Sequence, residues 1–159
     1  PQNNSSIVRY AFLCDISVVF YLLISFIVVV FGKLFSVSFE WADVLCSLLR
    51  AVFWSGVLFQ SQYFVIYKAM RHGKAVEQFL LIQMYVIGAL VLAVIGPVGN
   101  GFAGILQILH SKPIQLFQAV LMWIVVVWGT VNIVLQIILY LVIVNSTNEK
   151  DKLSPMAPV

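Results

Sequence analysis

Four long apolar stretches dominate the chain, and short polar runs separate them. They cover residues 10–31, 44–67, 76–95 and 114–144. A helix needs about 20 mostly apolar residues to cross the hydrocarbon core of a bilayer, and a backbone in that core must satisfy its own hydrogen bonds. The pattern therefore predicts an all-α integral membrane protein with four transmembrane helices and short loops.

The segments outside these stretches are polar or rich in glycine. Residues 1–9 form a polar N-terminal segment, and residues 145–159, with two prolines, are expected to be a disordered tail. Residues 96–104 hold four glycines and a proline, which predicts a flexible loop. Residues 105–110 then predict a short amphipathic piece before the fourth span.

Composition supports the membrane assignment. The 159 residues are 62% hydrophobic and 9% charged, whereas soluble domains are about 45–50% apolar and about 25% charged. No remaining segment is long enough for a separate soluble domain. The net charge of +3 does not indicate a nucleic-acid partner, because the basic residues flank the apolar stretches, as loop charges of membrane proteins do.

The distribution of basic residues predicts the orientation. Four spans place both termini on the same side as the loop between the second and third spans. That side carries most of the cations: Arg9, Lys68, Arg71, Lys74, Lys150 and Lys152. Cytosolic loops carry an excess of Lys and Arg. We therefore expect both termini in the cytosol, with the basic loop of Lys68, Arg71 and Lys74 setting the topology.

Two charged residues fall inside predicted spans, and such residues are candidates for function. Asp15 lies near the cytosolic end of the first span, and Arg50 lies near the opposite end of the second. Their different depths argue against a mutual ion pair. Arg50 either extends to the nearer interface or pairs with Asp43 or Glu40. Asp15 is either capped within the bundle, in contact with a partner, or part of a polar path.

Amide side chains recur in the later spans. The candidates for a partner contact or a polar path are Gln60, Gln62, Gln83, Asn132 and Gln136, in addition to Asp15 and Arg50. Interhelical hydrogen bonds of this kind contribute about 0.6 kcal/mol on average. The favoured interpretation is that these amides join helices to one another. The alternative is a polar groove for a lipid headgroup or a small solute.

Signatures of catalysis, metal binding and nucleotide binding do not emerge from the sequence. His72 and His110 fall in loops on opposite faces, and neither has Cys, Asp or Glu at ligand spacing. The glycine-rich loop lacks the Gly-Lys-Ser/Thr ending of a P-loop, and no serine stands in a nucleophile elbow. We therefore expect no catalytic residue, no metal and no cofactor, and a protein that is not an enzyme.

These observations predict a small four-helix, multi-pass membrane protein of the plasma membrane or an endomembrane. Its expected role is that of an accessory subunit or membrane organiser acting through helix–helix contacts. Its expected partners are the lipid bilayer and either another membrane protein or a second copy of itself, with no nucleic acid. The alternative function is an oligomeric channel or transporter for a small solute or lipid, with a polar path through spans two to four.

Overall fold

A computed structural model describes residues 2–35, 39–72, 76–110 and 116–153. The helices are α1 (Gln2–Phe35), α2 (Trp41–Leu58), α3 (Phe64–His72), α4 (Val76–Ile95), α5 (Ile105–His110) and α6 (Leu116–Leu153). A π-helical segment, Phe59–Tyr63, joins α2 to α3. These ranges contain no strand, and the predicted all-α class is confirmed.

Four helical stretches are long and apolar enough to cross a membrane. They are Ser6–Phe35, Trp41–Leu58, Val76–Ile95 and Leu116–Ser146. The prediction of a four-span membrane protein is confirmed, and the third span has the predicted bounds. The short helix predicted after the glycine-rich loop is α5.

Both ends of the chain are more helical than expected. Helix α1 begins at Gln2, inside the predicted N-terminal segment, and α6 continues to Leu153, well past the predicted end of the fourth span. Once a helix is nucleated, each further residue adds a hydrogen bond at little cost, and no glycine or proline falls between residues 145 and 153 to stop it. Residues 154–159 of the predicted tail lie outside the described residues.

The second predicted span is interrupted by the π-helical segment. A π turn uses more residues than an α turn because its hydrogen bonds join residues five apart. Leu58, Gln62 and Ile66 follow one another at steps of four and are all buried. In a regular α-helix with 3.6 residues per turn, residues spaced four apart shift gradually around the helix axis. The wider π turn offsets that shift. The segment thus keeps Gln62 on the buried face.

The packing order makes the bundle closed at one end and open at the other. Helix α1 packs against α2 and α6, and α6 packs against α4. Helix α4 also contacts α3 and the π-helical segment, but over the described residues no Cα atom of α4 lies within 8 Å of a Cα atom of α2. We call the end that carries α3 and both termini the terminal face, and the end that carries residues 96–104 and α5 the loop face. The gap between α2 and α4 lies toward the loop face.

The buried side of α6 follows a regular spacing. Its buried residues at alternating steps of four and three are Gln118, Met122, Val125, Gly129, Asn132, Gln136, Leu139 and Ile143. The matching set in α1 is Ile7, Ala11, Cys14, Val18, Tyr21, Ser25, Val28 and Gly32. A mean step of 3.5 residues is the repeat of left-handed helix packing. Small residues in these rows let the backbones approach closely.

Gly129 provides one test of this packing. A Cβ atom at Gly129 would lie 2.6 Å from Val94 Cγ2 and 3.0 Å from Tyr21 Cε2, and both neighbours are buried. We expect Gly129→Leu to lower the free energy of unfolding by about 1–3 kcal/mol, the usual cost of overpacking. The matched control is Gly88→Leu, because a Cβ at Gly88 meets nothing within 4 Å. Thermal unfolding of both variants in one detergent is the measurement, and equal midpoints would contradict the packing described.

Candidate functional sites

A polar layer separates two hydrophobic clusters inside the bundle. The cluster toward the terminal face consists of Ile7, Ala11, Cys14, Ile66, Phe79, Leu139 and Ile143. The cluster toward the loop face includes Val18, Leu58, Val86 and Val125. Along the chain, each span contributes at least one buried polar residue between its members of the two clusters. These residues are Asp15, Gln62, Gln83, Asn132 and Gln136.

Three of these residues form a glutamine cluster, defined as Gln62, Gln83 and Gln136. The Nε2 group of Gln62 donates to Oε1 of Gln83 and, at 2.9 Å, to Oε1 of Gln136. The Nε2 group of Gln83 donates to Oε1 of Gln136 and, at 3.0 Å, to its main-chain oxygen. All three side chains are completely buried. The cluster therefore ties the π-helical segment, α4 and α6 together.

The glutamine cluster keeps one donor and one acceptor unused. Gln62 Oε1 and Gln136 Nε2 have no hydrogen-bond partner among the described residues. Amides do not titrate at physiological pH, so the cluster has no acid, base or nucleophile to offer. Its chemistry is that of a polar joint between helices.

Asp15 is buried but stands apart from the glutamine cluster's hydrogen bonds. Its side chain is 3% exposed, and neither carboxyl oxygen has a partner within the described residues. It borders a cleft of about 140 Å³ between α1 and α2, whose other polar lining residue is Ser55. Burying a carboxyl group without a hydrogen bond is costly. The structure does not bring Asp15 together with Arg50.

The remaining amide candidates take two different positions. Asn132 is completely buried, and its Nδ2 group donates to the main-chain oxygen of Trp128 at 2.9 Å, one turn earlier in α6. It lies on the same face of α6 as Gln136 but does not hydrogen-bond to the glutamine cluster among the described residues. Gln60 is exposed on the outside of the π-helical segment. Sequence spacing alone does not show that Asn132 is buried and that Gln60 is exposed.

The glycine-rich loop is held in place at its middle. The N–H of Gly101 donates to Oδ1 of Asp43 at 2.9 Å, and Oδ2 of Asp43 accepts the N–H of Glu40 at 2.9 Å. Gly101 has a φ of +65°, which favours glycine, and a Cβ there would collide with the main-chain oxygen of Asp43. Asp43 thus caps the start of α2, as its first-turn position predicts, and also binds the loop.

Arg50 makes the second attachment. Its Nη1 donates to the main-chain oxygen of Gly101 at 3.3 Å, and its Nη2 donates to that of Asn100. The guanidinium carbon lies 3.4 Å from the centre of the Phe102 ring, where a cation is attracted to the ring face. We call Asp43, Arg50, Asn100, Gly101 and Phe102 the loop clamp. Residues 96–104 are therefore attached to α2 at Asn100 and Gly101, contacts that the prediction of a flexible loop did not include.

The loop clamp also shows where the Arg50 side chain is bound. Among the described residues its hydrogen bonds go to main-chain oxygens of the loop and not to Asp43 or Glu40. Side chains of a helix tilt toward its N-terminus, and the N-terminus of α2 lies at the loop face. The Arg50 side chain extends in that direction, and its extension to the membrane interface stays a prediction.

The basic loop is described only in part. Lys68 is exposed, and its ammonium group lies 5.1 Å from the centre of the Phe64 ring. The side chain of Arg71 and all of Lys74 lie outside the described residues. Its role in setting the topology stays a prediction.

The fold and the buried amides define a polytopic membrane protein with four spans. The chain belongs to the SCAMP family, which it matches over residues 1–150. This is a family of tetraspanning membrane proteins, in agreement with the four spans. Comparisons with curated proteins and with solved structures give no significant match.

The loop clamp predicts a local change on removal of its carboxylate. We expect Asp43→Ala to free residues 96–104, and hydrogen exchange of the peptide containing Gly101 to accelerate about tenfold or more. This is the size expected for losing a hydrogen bond to a charged group. Hydrogen–deuterium exchange with mass analysis in detergent is the measurement.

The control is Glu40→Ala, which removes an exposed carboxylate from the same helix start but leaves the backbone N–H of residue 40 in place. Exchange at residues 96–104 should stay at the wild-type rate in this variant. Unchanged exchange in Asp43→Ala would show that Asp43 does not hold the loop.

Proposed function

We propose that this protein serves membrane trafficking as a non-catalytic interaction module, either an accessory subunit or a membrane organiser, through helix–helix contacts within the bilayer. Its membership of a family of membrane-trafficking proteins supports the setting. The observation that carries the proposal is the direction of the polar side chains within the spans.

Most of those polar side chains are used inside the chain. The glutamine cluster bonds to itself, Asn132 bonds to its own helix, and Arg50 bonds to the loop. A conduit for a polar solute needs polar groups that face a continuous cavity. Side chains that hydrogen-bond mainly to one another between packed helices favour a closed bundle instead.

The outer surface supports contact with other helices. Gly56 on α2 and Gly88 on α4 are exposed, and a Cβ at either position would meet nothing within 4 Å. In a membrane, glycine on an outer face lets a second helix approach its backbone closely. Large aromatic side chains stand beside these positions on the same helices, including Phe53 and Tyr85, both strongly exposed.

The alternative of a channel or transporter draws on one observation. Asp15 is buried with both oxygens unpartnered and borders the cleft between α1 and α2. Ionisable groups inside membranes often mark solute or proton paths. The lining of that cleft is otherwise almost entirely apolar, which favours the interaction module over the path.

The proposal predicts a stoichiometric partner that depends on the exposed glycines. Purification at native abundance in a gentle detergent, followed by mass analysis, should recover a second membrane polypeptide with the wild-type chain. Gly56→Leu and Gly88→Leu should each lower its recovery severalfold, because the added side chain blocks close helix approach. Val127→Leu is the matched control, since it enlarges an exposed position on a different span, α6, that already has a side chain.

A contradictory result would be a monomer or a homo-oligomer with no other chain, together with solute flux in reconstituted vesicles. Flux that Asp15→Asn abolishes and Glu40→Gln preserves would establish the transport alternative instead. The two substitutions remove one carboxylate each, the first buried in a span and the second exposed at the start of α2.

A further inference from the structure

The gap between α2 and α4 forms a cleft beneath the loop clamp. Its volume is about 160 Å³, similar to the ~150 Å³ apolar cavity that accommodates benzene in another protein. Leu22 of α1 lies at its floor, Trp54 of α2 and Ala89 of α4 line its walls, and Phe102 and Arg50 close its end toward the loop face. Arg50 is the charged residue of this lining.

The cleft is open on one side and built mostly from apolar side chains. Leu92 at its rim is 58% exposed. Because α2 and α4 are membrane spans by length and composition, that opening faces lipid chains. An occupant must therefore present an apolar segment and must enter from the bilayer.

The guanidinium group of Arg50 lies at the end of this cleft, within electrostatic range of the carboxylate of Asp43. Within the described residues its guanidinium group makes no ion pair and donates to two main-chain oxygens, those of Asn100 and Gly101. A guanidinium group has five N–H donors, so donors remain for a further acceptor. The group is half-buried, and a fork of N–H groups suits the oxygens of a phosphate.

We propose that this cleft binds one phospholipid, whose acyl chain fills the space beside Trp54 and Ala89 and whose phosphodiester accepts hydrogen bonds from Arg50. Both parts of the ligand match what the cleft offers, an apolar space open to lipid and a cation directed toward the loop face. The loop clamp positions Arg50, because Asp43 holds Gly101 and Gly101 in turn accepts from Arg50. This site goes beyond the interaction role proposed above and does not depend on it.

The first test is a titration of delipidated wild-type protein, followed by native mass spectrometry. Dioleoyl phosphatidylglycerol is the probe, and dioleoylglycerol, which has the same chains and no phosphate, is the comparison. We expect one tightly bound phosphatidylglycerol, about tenfold weaker binding of dioleoylglycerol, and about tenfold weaker phosphatidylglycerol binding by Arg50→Gln, since charge-assisted hydrogen bonds are the strong ones. Equal binding of the two lipids, or of a sterol, would overturn the proposal.

A variant of the cleft wall separates loss of the site from loss of the loop contact. Ala89→Phe fills the cleft and leaves Arg50 and the loop clamp unchanged in sequence, so it should abolish the tight binding. Val91→Phe adds the same ring to an exposed position of α4 outside the cleft lining and should bind like wild type. Wild-type binding by Ala89→Phe would place the lipid elsewhere and overturn the proposal.

A measurement on the unaltered cleft covers the case in which Ala89→Phe fails to fold. Phosphatidylglycerol brominated on its acyl chains should quench part of the tryptophan fluorescence in wild-type protein at the concentrations that saturate binding. Trp54→Phe should remove that saturable part and leave the quenching of the lipid-exposed Trp123. The same saturable quenching in Trp54→Phe would exclude an acyl chain from this cleft.

Discussion

The structure depends on one constraint, that polar groups within the hydrocarbon layer must find their partners inside the chain. The glutamine cluster meets most of it by joining the π-helical segment, α4 and α6 with interhelical hydrogen bonds, although Gln62 Oε1 and Gln136 Nε2 stay without a partner among the described residues. Such bonds in membranes contribute about 0.6 kcal/mol on average and at most about 1.7 kcal/mol. These hydrogen bonds fix the position of each helix along the bundle as well as stabilising it. A helix shifted by one residue along the bundle would leave Gln62 or Gln83 facing apolar neighbours.

This polar layer divides a closed half of the molecule from an open half. Toward the terminal face, side chains of α1, α3, α4 and α6 meet in one hydrophobic cluster. Toward the loop face, α2 and α4 separate, and residues 96–104 fold against α2 through Asp43 and Arg50. The closed half forms a packed hydrophobic part of the bundle core. The open half carries the cleft between α2 and α4, and Arg50 both lines that cleft and hydrogen-bonds to the loop.

The sequence predicts the number and class of elements because hydrophobic length decides them. It does not predict which face of each span is buried, since lipid-facing and core-facing residues are equally apolar. Asn132 and Gln136, four residues apart, lie on the buried face of α6. Gln60 and Gln62 differ in exposure because residues two apart do not share a helix face. The loop clamp joins Asp43 to Gly101, which are 58 positions apart, and no local pattern shows that contact. Helices α1 and α6 extend beyond the apolar stretches into the polar ends of the chain, which hydrophobic length does not predict.

The most direct measurement is a double-mutant cycle between Gln83 and Gln136, each replaced by Leu, with reversible unfolding in one detergent. We expect a coupling free energy of about 0.6–1.7 kcal/mol, the range of interhelical hydrogen bonds in membranes. Gln60→Leu combined with Gln136→Leu provides the control, because Gln60 is exposed, and this pair should show no coupling. Additive effects for Gln83 and Gln136, within about 0.3 kcal/mol, would contradict the claim that their hydrogen bonds join α4 to α6.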